Sequence, residues 1–187
     1  LIADLTTVTD AALAKQAVES YVEMEQRYIA GDWQPAELNG GRLCEAVSHC
    51  LYKLDTGTVN RTKSVAEVRT ALRDNSAGRT HALGAKDRSH ITKVIEMVYG
   101  FRSDRGAVHI SPLYTANQMD SMLMLHAGKW IFAELLRLAL KQDQKAVAEM
   151  IAQIVQLEHS IIHVLDDVPM VLITGIAANG EVLVLLS

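Results

Sequence analysis

Apolar residues recur at helical spacing along most of this chain. Over 10–30, Leu13, Ala14, Ala17, Val18, Tyr21 and Val22 share one face of a helix that Asp10 caps and Gly31 stops. Pro35 suits the first turn of a second helix reaching Leu54, with Leu43, Ala46, Val47, Cys50, Leu51 and Leu54 as its stripe. Gly40 and Gly41 fall inside that helix. They either admit a close approach of another backbone or mark a start nearer to residue 40. Ser64-Val-Ala-Glu67 is a capping box opening a short helix that ends by Asn75. The glycine- and serine-punctuated stretch 75–85 predicts a loop, and 87–101 a helix burying Ile91, Val94, Ile95 and Val98. Thr115-Ala-Asn-Gln118 reads as a second capping box. It opens the longest helix, which runs to about Leu140 along Met119, Met122, Leu123, Ala127, Trp130, Ile131, Leu135 and Leu138. That methionine-rich stripe is expected to be core or dimer interface rather than a cofactor box. Asp143 starts a final helix to about Leu165.

After Pro169 the period changes. Residues 171–174 and 181–185 are strand-like and flank Asn179-Gly180, a hairpin signal. The fold class predicted is therefore mostly α, a helical bundle over 1–166 with a short C-terminal β-hairpin. Residues 167–187 form that appendage or the start of a following domain. Leu1 opens the chain and an apolar run, 182–186, closes it, so a longer polypeptide with a further domain or partner beyond the C-terminus is expected.

Composition narrows the class. Of 187 residues 49% are apolar, only 5% are aromatic and three are proline, which suits a compact helical protein. No apolar run reaches the length that spans a bilayer, and no signal-peptide pattern is present, so the expectation is a cytoplasmic protein with no membrane partner. Cys44 and Cys50, six apart, fit neither a redox pair nor a zinc knuckle and are expected as buried reduced thiols. The net charge of −4 hides an asymmetry. Residues 61–105 carry ten Lys and Arg against five acids, leaving +5 there and −9 elsewhere. This segment is either the solvated face of two charged helices or a local track for a polyanion such as RNA.

The densest chemistry is Arg102-Ser-Asp-Arg-Gly-Ala-Val-His109, which follows the end of a helical pattern. Arginine offers a planar, permanent cation that fits a phosphate bidentately, and histidine exchanges a proton near neutral pH. Spacing alone does not decide, since Arg42 and His49 repeat it inside one amphipathic helix as an ordinary polar face. Arg102 and His109 instead straddle a helix end and a glycine-containing loop, where side chains converge on a ligand. His159 and His163, four apart on the expected last helix, lack a third metal ligand and read as surface or interface residues, and His126 reads as a core or interface histidine. No metal and no cofactor are expected, and no Gly-rich phosphate loop, G-x-S-x-G elbow or cysteine-nucleophile context is present.

The stretch 87–109, DRSHITKVIEMVYGFRSDRGAVH, resembles the signature region of the HEPN superfamily, most closely the abortive-infection C-terminal type of bacterial phage-defence proteins. Residues 119–130, MDSMLMLHAGKW, and 41–47, GRLCEAV, resemble the same group, so the likeness covers roughly 10–140. It implies a HEPN-like helical bundle that forms a homodimer with two Arg–His motifs facing a shared cleft. The implied activity is metal-independent endoribonuclease cleavage in a toxin or antiviral defence protein. Arg102 and His109 would be catalytic, Arg105, Arg88 and Lys93 would contact the RNA phosphates, and the basic segment would guide the strand. The residue after the motif arginine, commonly Asn, Asp or His in that superfamily, is Ser103 here. A second expectation therefore stands beside the first: a catalytically silent HEPN-like dimerisation or sensor module of a larger protein.

Overall fold

In the computed structural model, residues 1–104, 117–158, 162–165 and 168–171 are described. They form seven α-helices followed by two short strands: α1 (Ile2–Val8), α2 (Ala11–Ile29), α3 (Trp33–Thr56), α4 (Val65–Arg73), α5 (Ala85–Asp104), α6 (Gln118–Leu140), α7 (Gln144–Glu158), β1 (Ile162–Leu165) and β2 (Val168–Val171). No described helix is long and apolar enough to cross a membrane.

Local chemistry sets the helix ends. The Asp10 carboxylate accepts from the backbone N–H groups of Ala12 and Leu13 at 3.0 and 3.2 Å, as the first turn of α2 requires. The Ser64 and Glu67 box is complete: Ser64 Oγ accepts from the Glu67 N–H at 3.2 Å and Glu67 Oε2 accepts from the Ser64 N–H at 2.7 Å. Helix α3 stops at Gly57, whose φ of 76° is the left-handed conformation that glycine adopts freely. The box predicted over 115–118 is displaced. Asn117 is the N-cap of α6, its Oδ1 accepting from the Asp120 N–H at 3.0 Å, so the pattern is Asn-x-x-Asp.

Helix α3 is the centre of the bundle, packing against α2, α4, α5 and α6. It runs unbroken through Gly40 and Gly41, so the later start does not hold, and what approaches Gly40 is side chain rather than another backbone. A Cβ on Gly40 would stand 3.1 Å from Cε of Met124 on α6. Gly128 of α6 is tighter still: a Cβ there would collide with Met24 Cε and lie 3.0 Å from its Sδ. Met24 and Met124, each 1% exposed, thus fill the seams that the two glycines leave. Nearby, Tyr21 of α2 and Phe132 of α6 stack with centroids 4.7 Å apart. The Tyr21 hydroxyl donates to Glu25 Oε1 at 2.5 Å; burial, with the adjacent Glu25 carboxylate, holds this phenol protonated far above its ordinary range. Both cysteines are buried and unbridged, and burial pushes the Cys50 thiol up to about 12.

Three expectations change. Helix α1, which the periodicity did not announce, buries only Leu5 and lies against α2 and α6. Helix α7 ends at Glu158, and residues 162–165, expected as its last turn, are strand. Strand β1 pairs antiparallel with β2, His163 opposite Met170, so His163 is not on the expected last helix; His159 lies outside the described residues. The β-branched residues Ile162 and Val164 favour this extended ladder. The hairpin expected from 171–174 with 181–185 falls largely on 172–187, which lies outside the described residues.

Gly128→Val should cost about 1–3 kcal/mol through overpacking against Met24 and Leu43. Thermal unfolding of the variant beside the wild type measures the loss. An unchanged Tm would show that the α2–α6 seam has slack.

Candidate functional site

Several of the cations singled out in the sequence are already engaged, and Arg69 and Arg73 meet α5 at the seam with α4. Arg73 of α4 donates through Nε to Thr92 Oγ1 at 2.9 Å and through Nη2 to Glu96 at 3.0 Å, both on α5. Arg69 pairs with the same carboxylate. Arg61 reaches across to Asp10, and Arg79 pairs with Asp74 at 3.2 Å. Four of the ten cations in 61–105 therefore have carboxylate partners among the described residues; Asp74 and Glu96 are already counted in the +5 of the segment, and Asp10 is the acid added from outside it. Lys86 and Lys93 are exposed and pair with no acid among the described residues.

Arg88 is different. It is 5% exposed, and its guanidinium donates to the Leu72 carbonyl through Nη1 and to Asn75 Oδ1 through Nη2, each at 2.9 Å. It thereby closes the last turn of α4, where backbone carbonyls lack helical partners. Its buried Nε has no hydrogen-bond partner. Arg88, Lys93 and Arg73, with Asn75 and Ser89, line a pocket of about 260 Å³ whose described lining holds no carboxylate. The structure so brings together two of the three expected phosphate contacts and adds Arg73.

Helix α5 extends to Asp104, three residues past its predicted end, so Arg102 and Ser103 belong to its last turn rather than to the loop after it. Arg105 and His109 lie outside the described residues.

Two constellations were not anticipated. In the first, His81, on the connection between α4 and α5, places Nδ1 2.6 Å from Asp55 Oδ2 and Nε2 2.6 Å from the Asp74 carbonyl oxygen. Asp55, at the end of α3, also accepts from the Leu83 N–H at 3.0 Å. The side chains are 7% and 1% exposed, so this is a buried staple and not an open catalytic pair. Only the fold brings these positions, 26 apart in sequence, together. The second is a groove of about 460 Å³ between α6 and α7, walled by Trp130, Val147 and Ile151 with His126, Lys129 and Arg137 at its polar margin. His126 is exposed here, not part of the core. Along the same helix Met119, Met122, Leu123 and Trp130 remain 69%, 45%, 41% and 39% exposed, an apolar stripe with no described partner.

The ion pairs set the acid response. The hydrogen bond from Arg73, then the charges of Arg69 and Arg73, hold the Glu96 carboxyl below its ordinary range. The N–H groups of Leu13, Ser64 and Ser76 chiefly do the same for Asp10, Glu67 and Asp74. Each folded-state pKa lies below the unfolded one, so the stability these groups contribute is complete above the ordinary carboxylate range. It is lost as pH falls through the depressed values, below the ordinary carboxylate range. Glu96→Gln should lower Tm at pH 7 and flatten part of the loss seen as pH falls below the ordinary carboxylate range. A pH series of Tm with the wild-type slope would show that the α4–α5 clamp contributes nothing to the acid limb.

Comparison with protein-family models, with curated proteins and with solved structures finds no match for this chain.

Proposed function

We propose that this chain is a HEPN-type endoribonuclease domain of a defence or toxin protein, cleaving RNA without a metal ion through Arg102 and His109 at a dimer cleft. The observation that carries the reading is the order of chemistry along the chain: the motif arginine in the last turn of α5, a short polar and glycine-containing stretch of sequence, then a histidine before α6. The RNA supplies its own nucleophile. The 2′-hydroxyl oxygen attacks phosphorus, the bond to the 5′-oxygen breaks, and the products are a 2′,3′-cyclic phosphate and a 5′-hydroxyl. His109 moves the proton at the attacking or the leaving oxygen. Arg102, aided by Arg105, neutralises the charge that develops on the pentavalent phosphorus. Arg88 and Lys93 hold phosphate groups away from the scissile bond. The exposed apolar stripe of α6 supports a homodimer, since a stripe of this kind marks an interface more often than a free surface.

A second reading is favoured by the ion pairs of Arg61, Arg69, Arg73 and Arg79, which hold these side chains against acids of the fold instead of presenting them to an RNA strand. On it, the chain is a catalytically silent HEPN-like module that dimerises and senses or positions a partner within a larger protein. Ser103 after the motif arginine favours it too.

RNA cleavage in EDTA separates the two. The nuclease reading expects products ending in cyclic phosphate, with the rate falling about 10²–10⁴-fold in His109→Ala and Arg102→Ala. No cleavage by a folded dimer favours the silent module. Sedimentation tests the shared part: Trp130→Glu should turn a dimer into a monomer of unchanged helicity, and a dimer that persists would place the interface elsewhere.

A further inference from the structure

We infer that the pocket between α4 and α5 is a binding site for a phosphate dianion, held on the Nε–Nη2 edge of Arg88. The inference deepens the assignment of Arg88 and Lys93 as phosphate contacts and rests on that part of the proposed function. It is independent of the cleavage chemistry assigned to Arg102 and His109.

A buried arginine without a counter-ion is the observation that needs explaining. Burying a charge is costly unless it is paired, and natural proteins keep few such groups unpaired. Arg88 is 5% exposed and pairs with no carboxylate among the described residues. The carbonyl end of α4, which Nη1 meets at Leu72, offers the equivalent of about half a negative charge. Around it the imbalance grows. Arg69, Arg73, Arg88 and Lys93 are four cations against one carboxylate, Glu96. The two charges of a phosphate monoester or of inorganic phosphate offset more of this excess than the single charge of an internal phosphodiester.

The guanidinium geometry says where the anion sits. Nε–H and one N–H of Nη2 point the same way and form a fork that matches two oxygens of a phosphate. On Arg88 this edge is half used: Nη2 is held by Asn75 Oδ1 and Nε by nothing. Asn75 is exposed, so its side chain can swing aside at little cost and turn its amide N–H₂ toward the incoming oxygens. Two phosphate oxygens then take Nε and Nη2 together, and Lys93 and Ser89, already on the pocket wall, complete the shell. No bond to the Leu72 carbonyl has to break.

The test uses the whole chain and inorganic phosphate, read by thermal shift and calorimetry against sodium chloride of matched ionic strength. Phosphate should raise Tm with a saturable dose dependence; a response equal to that of chloride overturns the inference. Asn75→Asp is the sharpest variant, because it places a carboxylate on the same Arg88 edge at an exposed position. It should raise the ligand-free Tm and abolish the phosphate response, and a retained wild-type response overturns the inference. Lys93→Ala should bind about tenfold more weakly with unchanged ligand-free Tm. Wild-type affinity in that variant counts against the proposed shell.

Dinucleotides identify the source of the phosphate. A 5′-phosphorylated one binding more tightly than inorganic phosphate points to a nucleic-acid end, and equal affinity to the free anion; both support the site. Equal binding of the 5′-hydroxyl form contradicts it. A chain that binds phosphate yet fails to cleave RNA keeps this site and loses only the nuclease reading.

Discussion

The bundle depends on how closely α2 and α6 approach α3. At Gly40 and Gly128 the absent side chains let a thioether, and not a second backbone ridge, fill the space between helices. The Tyr21–Phe132 stack and the buried Glu25 lie on the same two helices that this seam joins. With α3 fixed between α2 and α6, its remaining sides receive α4 and α5, and the α4–α5 seam inherits its position from a contact on the other side of the molecule.

Charge is distributed with the same economy. The segment 61–105 is basic in sequence, yet in the fold much of that charge is spent on holding elements together: Arg61 ties the start of α4 to the start of α2, and Arg69 and Arg73 clamp α4 to α5 through Glu96. Arg137 of α6 reaches Asp87 at 2.6 Å, fastening α5 from its other side. Arg88 and Lys93 stand apart from this pattern. They are not offset by acids of their own, which concentrates the remaining positive field in one small pocket.

The sequence was most legible where a local rule acts alone. The apolar stripes of α2 and α3, the Asp10 cap and the Ser64 box are decided within a few residues and appear as read, whereas on α6 the buried face runs through Met124, Leu125, Ile131, Phe132, Leu135 and Leu136, and Met119, Met122, Leu123 and Trp130 of the expected stripe are exposed. Capping went wrong where two candidates overlapped: Thr115 and Asn117 both precede the same helix, and Asn117 with Asp120 takes the role. Helix α1 gave no periodic signal because one buried leucine in seven residues is no pattern. The end of α7 was misplaced since Ile162 and Val164 continue an apolar spacing that fits a helix or a strand equally well. At the candidate site, the residue types were visible but their states were not. Nothing local distinguishes Arg88, buried and short of a counter-ion, from Arg69 or Arg73, which share one.

The His81 staple has a consequence for cooperativity. Helix α4 has nine residues, too few for a stable helix in water, and it lies on an excursion that leaves α3 after Thr56 and returns at α5. By joining the far side of that excursion to Asp55, His81 closes the chain into a ring whose closure entropy is lost once, when the bundle forms. The staple therefore couples the short helix to α3, and Asn75, six residues before it, is placed beside Arg88 by that closure as well as by its own turn.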